Sequence, residues 1–204
     1  MTTSTSETLI REHARIHRRR VEDGLLGIPI SHVTLGARGG LELQLSGELP
    51  DDWCLRLANG LSAARIGLQN GYARRVDTRI WICQLEVRRQ PEDPRMPDFL
   101  GLATQGTLRG RRGKLPILDF ELSETSSRGE VLDLRVVAHD AVGLLAAVLH
   151  RVRAVGLSIR ELLLATSGDA ATHHIAIQRR DGCAPKPIDR RAIASSLAEL
   201  VRSR

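Results

Sequence analysis

Aromatic side chains are nearly missing from this 204-residue chain: Trp53, Tyr72, Trp81, Phe99 and Phe120 are the whole set. Proteins that hold single-stranded nucleic acid stack its bases on exposed rings. Five scattered rings build no such platform, which argues against a nucleic-acid partner. Cysteine is as sparse. Cys54, Cys83 and Cys183 form no CxxC pair, no zinc spacing and no even disulfide framework, so a reducing compartment is expected. The longest apolar run, Ala141 to Leu149, falls far short of the roughly 20 residues that span a bilayer. The opening MTTSTSETLIREHARIHRRR has no apolar core of the kind a secretory leader needs. A cytoplasmic protein with no membrane partner is the expectation. GxSxG, the P-loop and the Rossmann fingerprint are all missing too, so neither catalysis nor a cofactor is expected.

What the chain does have is enough apolar material to fold. Hydrophobic residues make up 42% and charged residues 26%, which separates it from disordered chains. Its length accommodates two small domains of roughly 70–100 residues each. Basic residues outnumber acidic ones by 30 to 24, and all but two of them are arginine. The densest groups, Arg18-Arg19-Arg20 and Arg109, Arg111, Arg112 with Lys114, lie outside the strongest periodic segments. They read as solvated linkers rather than as a phosphate-binding patch.

Hydrophobic periodicity divides the chain into three parts. Residues 1–29 are a polar tail followed by a charged, breaker-free stretch, Glu7 to about Glu22, expected to be a helix with Leu9 and Ile16 on its thin apolar stripe. Residues 30–124 alternate like strands and then turn helical. Leu41, Leu43 and Leu45 share one face, and Asp51 and Asp52 offer capping carboxylates to a helix carrying Trp53, Leu57 and Leu61. A hairpin over Arg65–Val76 and Arg79–Arg88 follows, then a short helix near Asp98–Ala103 and a strand through Leu118, Phe120 and Leu122. Strand, helix, strand, strand, helix, strand is the ferredoxin-like order. After the polar break Ser123–Gly129, residues 130–204 begin the same plan again, through a strand at Leu132–Ala138 and a helix at Ala141–Val155, but end without the final strand. Residues 30–35 are a candidate to fill that open edge, or to pair between chains.

The segment LDLRVVAHDAVGLLAAVLHRVRAVGLSIRELLLAT, Leu132 to Thr166, resembles the ACT domain, the sensor module of amino-acid biosynthetic enzymes and of the nitrogen-sensing uridylyltransferase. Its strand ends at Asp140, Ala141-Val142-Gly143-Leu144-Leu145 opens the helix, and Gly156-Leu157-Ser158-Ile159 enters the next strand. The resemblance implies an α+β fold of two tandem ferredoxin-like ACT repeats, with antiparallel sheets covered by helices on one face. The first copy is the divergent one, carrying Asp51, Asp52 and Trp53 where the second has its glycine.

The same resemblance implies a ligand loop of His139, Asp140, Ala141, Val142, Gly143 and Leu144, where a free amino acid approaches the backbone. A glycine at a helix start permits close approach, and the unpaired N–H groups there favour a carboxylate. Asp140 as a simple N-cap and Gly143 as a packing glycine are the competing reading. His139 beside His173 or His174 is the one metal candidate, with no third ligand spaced to complete it, so no metal is expected. The expected function is regulatory: a cytoplasmic allosteric sensor that binds an amino acid or similar small metabolite and signals through ACT pairing, as a homodimer or within one chain, or through a regulated protein partner. A ligand-free assembly module and a basic nucleic-acid-associated regulator are the alternatives.

Overall fold

A computed structural model describes residues 27–36, 40–88, 96–108, 117–124 and 131–201. The helix expected over Glu7–Glu22 and both arginine clusters lie outside the described residues.

Among the described residues twelve elements run twice through the same series. The first half runs β1 (Ile30–Leu35), β2 (Leu41–Glu48), α1 (Trp53–Ala63), β3 (Gly67–Arg75), β4 (Ile80–Arg88) and α2 (Phe99–Gln105). The second runs β5 (Ile117–Glu124), β6 (Leu132–His139), α3 (Leu144–Ala154), β7 (Leu157–Ser167), β8 (Ala170–Arg179) and α4 (Pro187–Ala198). All eight strands form one antiparallel sheet in the order β1-β2-β4-β3-β7-β8-β6-β5. This is the α+β fold of two tandem ferredoxin-like units, set edge to edge about a pseudo-two-fold axis between β3 and β7.

The strand that completes each unit is not the one that chain order suggests. Leu118, Phe120 and Leu122 do not close the first unit at residue 124. Their strand, β5, pairs with β6 along its length, Phe120 opposite Val136 and Leu122 opposite Leu134. Nor do residues 30–35 fill the second unit's edge, since β1 pairs with β2, Val33 opposite Leu43. Alternation identifies strands but carries no information about their neighbours. Each unit's fourth strand precedes its first in the chain and pairs with it antiparallel, and Ser123 and Glu124 of the polar break belong to β5 itself, opposite Asp133 and Leu132.

The strands β2, β4, β6 and β8 each turn one face to the core. Leu41, Leu43 and Leu45 of β2 and Trp81, Cys83, Leu85 and Val87 of β4 are buried against the helices, as are Leu134 and Val136 of β6 and Ile175 and Ile177 of β8. The helices cover this face in the order α2-α1-α3-α4, α1 against α3 at the middle and α2 and α4 over the outer strands β1 and β5. Buried residues of both units form one continuous apolar cluster. Trp53 and Trp81, both fully buried, meet edge to face at 5.5 Å in the first unit.

The seam between the units is asymmetric in size. Gly71 of β3 stands opposite Leu164 of β7, and Ala73 opposite Leu162. Two small residues thus make a hollow that two buried leucines fill, as close packing requires. Gly71 has φ of +144°, and a Cβ there would run into the Gln84 carbonyl oxygen, so no larger residue fits. Beyond the paired residues Thr166 extends the join, its N–H donating to Asn70 Oδ1 at 3.0 Å and its hydroxyl to the Gln69 carbonyl at 2.7 Å. Among the described residues no helix is long and apolar enough to cross a membrane.

Candidate functional site

In each unit the chain leaves the first core strand, turns and enters a helix beside the partner unit. The two turns are equivalent in the fold but differ in chemistry. In the second unit β6 ends at His139, and the Asp140 N–H donates to the Asp169 carbonyl at 2.7 Å, tying this turn to the β7–β8 hairpin. Asp140 does not cap the helix. The N-cap is Gly143 in the left-handed region, φ +90°, and α3 begins at Leu144, three residues later than the sequence pattern suggests. That glycine is required by the turn itself, whatever approaches it, since L side chains are strained at such a φ. Ala141 and Val142 are half-buried and Leu144 is buried in the core. Partial burial pushes the Asp140 carboxyl above its usual range, while the charge of Arg88, from the first unit, pulls it back down.

The two histidines considered as a metal pair are apart. His139 faces Ala170 and His174 faces Arg135 in the β6–β8 ladder, so four residues of β8, about 13 Å, separate them. Each has its own carboxylate instead: His139 Nδ1 lies 3.7 Å from Asp169 and His174 Nδ1 3.8 Å from Asp133. His173 points the other way, into the core between Val136 and Leu164, 3% exposed with Nδ1 unpaired. Burial lowers its pKa to about 4, so it is neutral at pH 7. Among the described residues no three His, Cys, Asp or Glu side chains are grouped to hold a metal.

A cavity of about 200 Å³ opens at the equivalent turn of the first unit, not at the 139–144 loop. Asp51, Asp52, Cys54 and Leu55 line it from the start of α1; Leu149, Val152 and Arg153 from the end of α3; Leu157, Ser158 and Ile159 from β7; and Arg180 from just beyond β8. It therefore sits between the units, where the N-terminus of one helix meets the C-terminus of the other. Its walls mix five aliphatic side chains with four charged ones, Ser158 and Cys54 completing them. Burial pushes the Cys54 thiol up to about 12, so the sulfur stays protonated and presents a neutral wall rather than a nucleophile.

The acidic pair of this turn is already engaged. Asp52 occupies the N-cap position of α1 but makes no capping bond, contrary to the role its sequence position suggests. Both its oxygens accept from Arg56 instead, at 2.9 and 3.2 Å. Asp51 is paired with Arg75, whose guanidinium lies 5.3 Å from the Trp81 ring centre. Sequence reasoning centred on residues 139–144 missed Arg153, Ser158 and Arg180. One unit supplies the turn and the other supplies these three, so no local motif joins them.

A scan against protein-family models matched none, and searches of curated proteins and of solved structures returned no match.

Proposed function

We propose that this chain is a non-enzymatic regulatory protein, ACT-like in plan, that binds an amino acid or similar small metabolite between its two units and signals through their pairing or through a partner protein. The observation that carries this reading is the cavity at the seam. It joins aliphatic side chains to charged and polar ones and draws residues from both units, a composition that suits a small amphiphilic molecule. Its volume exceeds the roughly 150 Å³ of a cavity known to hold benzene, so a molecule of amino-acid size fits. A ligand there touches α1, α3 and β7 together, so occupancy changes how tightly the halves hold each other. That differential contact is the physical requirement for a sensor.

A thermal-shift screen against the twenty amino acids tests the reading, with two variants to locate the site. Ser158→Leu narrows the seam cavity, and Val142→Trp crowds the 139–144 loop without straining Gly143. A ligand of the native state raises the melting temperature once its concentration passes its Kd. A shift lost in Ser158→Leu and kept in Val142→Trp places the site at the seam. A shift lost only in Val142→Trp returns it to the loop that the sequence suggests. No shift at millimolar concentration from amino acids or from the corresponding acids leaves the ligand-free assembly module as the better account.

A further inference from the structure

The charges around the seam cavity say more about its occupant than its size does. Four ionised side chains line it, two of each sign, yet the signs are not equally free. Asp52 has both oxygens committed to Arg56, and Asp51 is paired with Arg75. Arg153 and Arg180 have no such partner among the described residues. Among the described residues the buried Arg153 Nε has nothing to donate to, an arrangement that costs free energy until an acceptor arrives. Counting the compensating Arg56 and Arg75, the neighbourhood carries two uncompensated positive charges. The main chain has the same polarity. Because Asp52 turns away from its capping role, the amides of Cys54 and Leu55 in the first turn of α1 lack a side-chain cap, and both residues line the cavity.

Resting on the seam cavity as the ligand site, we propose that its preferred occupant is a small aliphatic carboxylate lacking an ammonium group, a 2-oxo acid or simple carboxylic acid, in preference to the free amino acid of the same skeleton. The carboxylate sits between Arg153 and Arg180, and the tail lies on Leu55, Leu149, Val152 and Ile159. A guanidinium is the best side-chain match for a carboxylate, through paired and charge-assisted N–H···O bonds. An α-ammonium has no free carboxylate to meet here, and it would add a third positive charge beside two unpaired ones.

The test compares isosteric ligands by isothermal titration: L-leucine, 4-methyl-2-oxopentanoate and 4-methylpentanoate, with inorganic phosphate as an anion without a tail. The two acids are expected to bind at least about tenfold more tightly than leucine, and Arg153→Gln and Arg180→Gln are each expected to weaken them by about tenfold or more. Arg180 is exposed, so its variant folds normally, and the melting temperature without ligand checks both. Leucine binding as tightly as the acids, or more so, overturns this proposal and leaves the sensor reading intact. Phosphate binding as tightly as the acids also overturns it, since the aliphatic walls then select nothing. Binding that both glutamine variants retain places the carboxylate elsewhere and overturns it as well. If no acid and no amino acid binds, this proposal and the sensor reading fall together.

Discussion

The two turns that flank the seam occupy equivalent places and do opposite things. At one, Gly143 takes a left-handed conformation that few other residues tolerate, and the turn is tied to a neighbouring hairpin through Asp140. At the other, Asp52 holds the same position in ordinary backbone, and its carboxylate has turned aside to Arg56. The facing helix ends diverge in parallel. Arg153 stands one residue before the end of α3, where α1 has Ser62. The repeated pattern makes a symmetric frame, and the cavity with its charged groups lies at one end of it. The lesson concerns the glycine. In the second unit it is needed by the backbone, so its presence says little about a ligand, while the turn without one borders the cavity.

The same asymmetry runs through the seam, and it can be broken there. Gly71→Val puts a branched side chain at a positive φ and against the Gln84 carbonyl. A loss of about 4 kcal/mol or more is expected, read as a collapse of the urea midpoint or as insoluble protein. Leu162→Ala empties the leucine side of the join and should cost about 3 kcal/mol, and Ala73→Leu overfills the hollow at about 2 kcal/mol. Because these two residues face each other, the double variant should recover about 1 kcal/mol or more over the sum of the singles, measurable in a double-mutant cycle. Strict additivity would mean that the hollow and the leucines are not matched.

A third difference lies in the core. His173 is opposite Val136 in the second unit, where the first has Cys83 opposite Leu45. The buried imidazole titrates near 4, below the 6.5 of an exposed one, so between these values the unfolded chain binds a proton that the folded chain does not. Stability should therefore fall as pH drops from about 6.5 to 4, by at most about 3 kcal/mol, with no contribution from this group above that window. His173→Cys, which copies the first unit's residue, should flatten that part of the profile. An acid limb unchanged in the variant would assign the loss to other groups. The smallest effect expected is at the outer edge. Arg190 donates to the Leu122 carbonyl and pairs with Glu124 on the surface, so Arg190→Ala should cost about 0.5 kcal/mol or less, a shift of the melting temperature near the detection limit.

Much of this architecture is legible in the chain. Leu41-Leu43-Leu45 and Leu132-Leu134-Val136 alternate because one sheet face is buried, and the Leu144 to Val152 pattern repeats at helical spacing because α3 buries one side. Strand neighbours are not legible, because β5 has the same alternation whether it pairs backward or forward. The site was legible only in half. The turns could be found, since their breakers and acids stand out, but Arg153 and Ser158 look like an ordinary surface arginine and an ordinary strand serine until α1 and α3 are laid side by side. Asp52 misled for a related reason: a capping residue in the right position was drawn off by an arginine one turn later.

The order of pairing has a consequence in time. Because each fourth strand comes first, the first unit is complete before any of the second has been made. From the end of α2 at Gln105, its β3 edge, with the hollow at Gly71 and Ala73, then waits about 60 residues for the leucines of β7. At a synthesis rate of about 5–20 residues per second that wait lasts about 3–12 s, far longer than a hairpin takes to form. For that interval the nascent chain displays an unpaired strand edge beside an apolar hollow, so it is open to mispairing during its own translation.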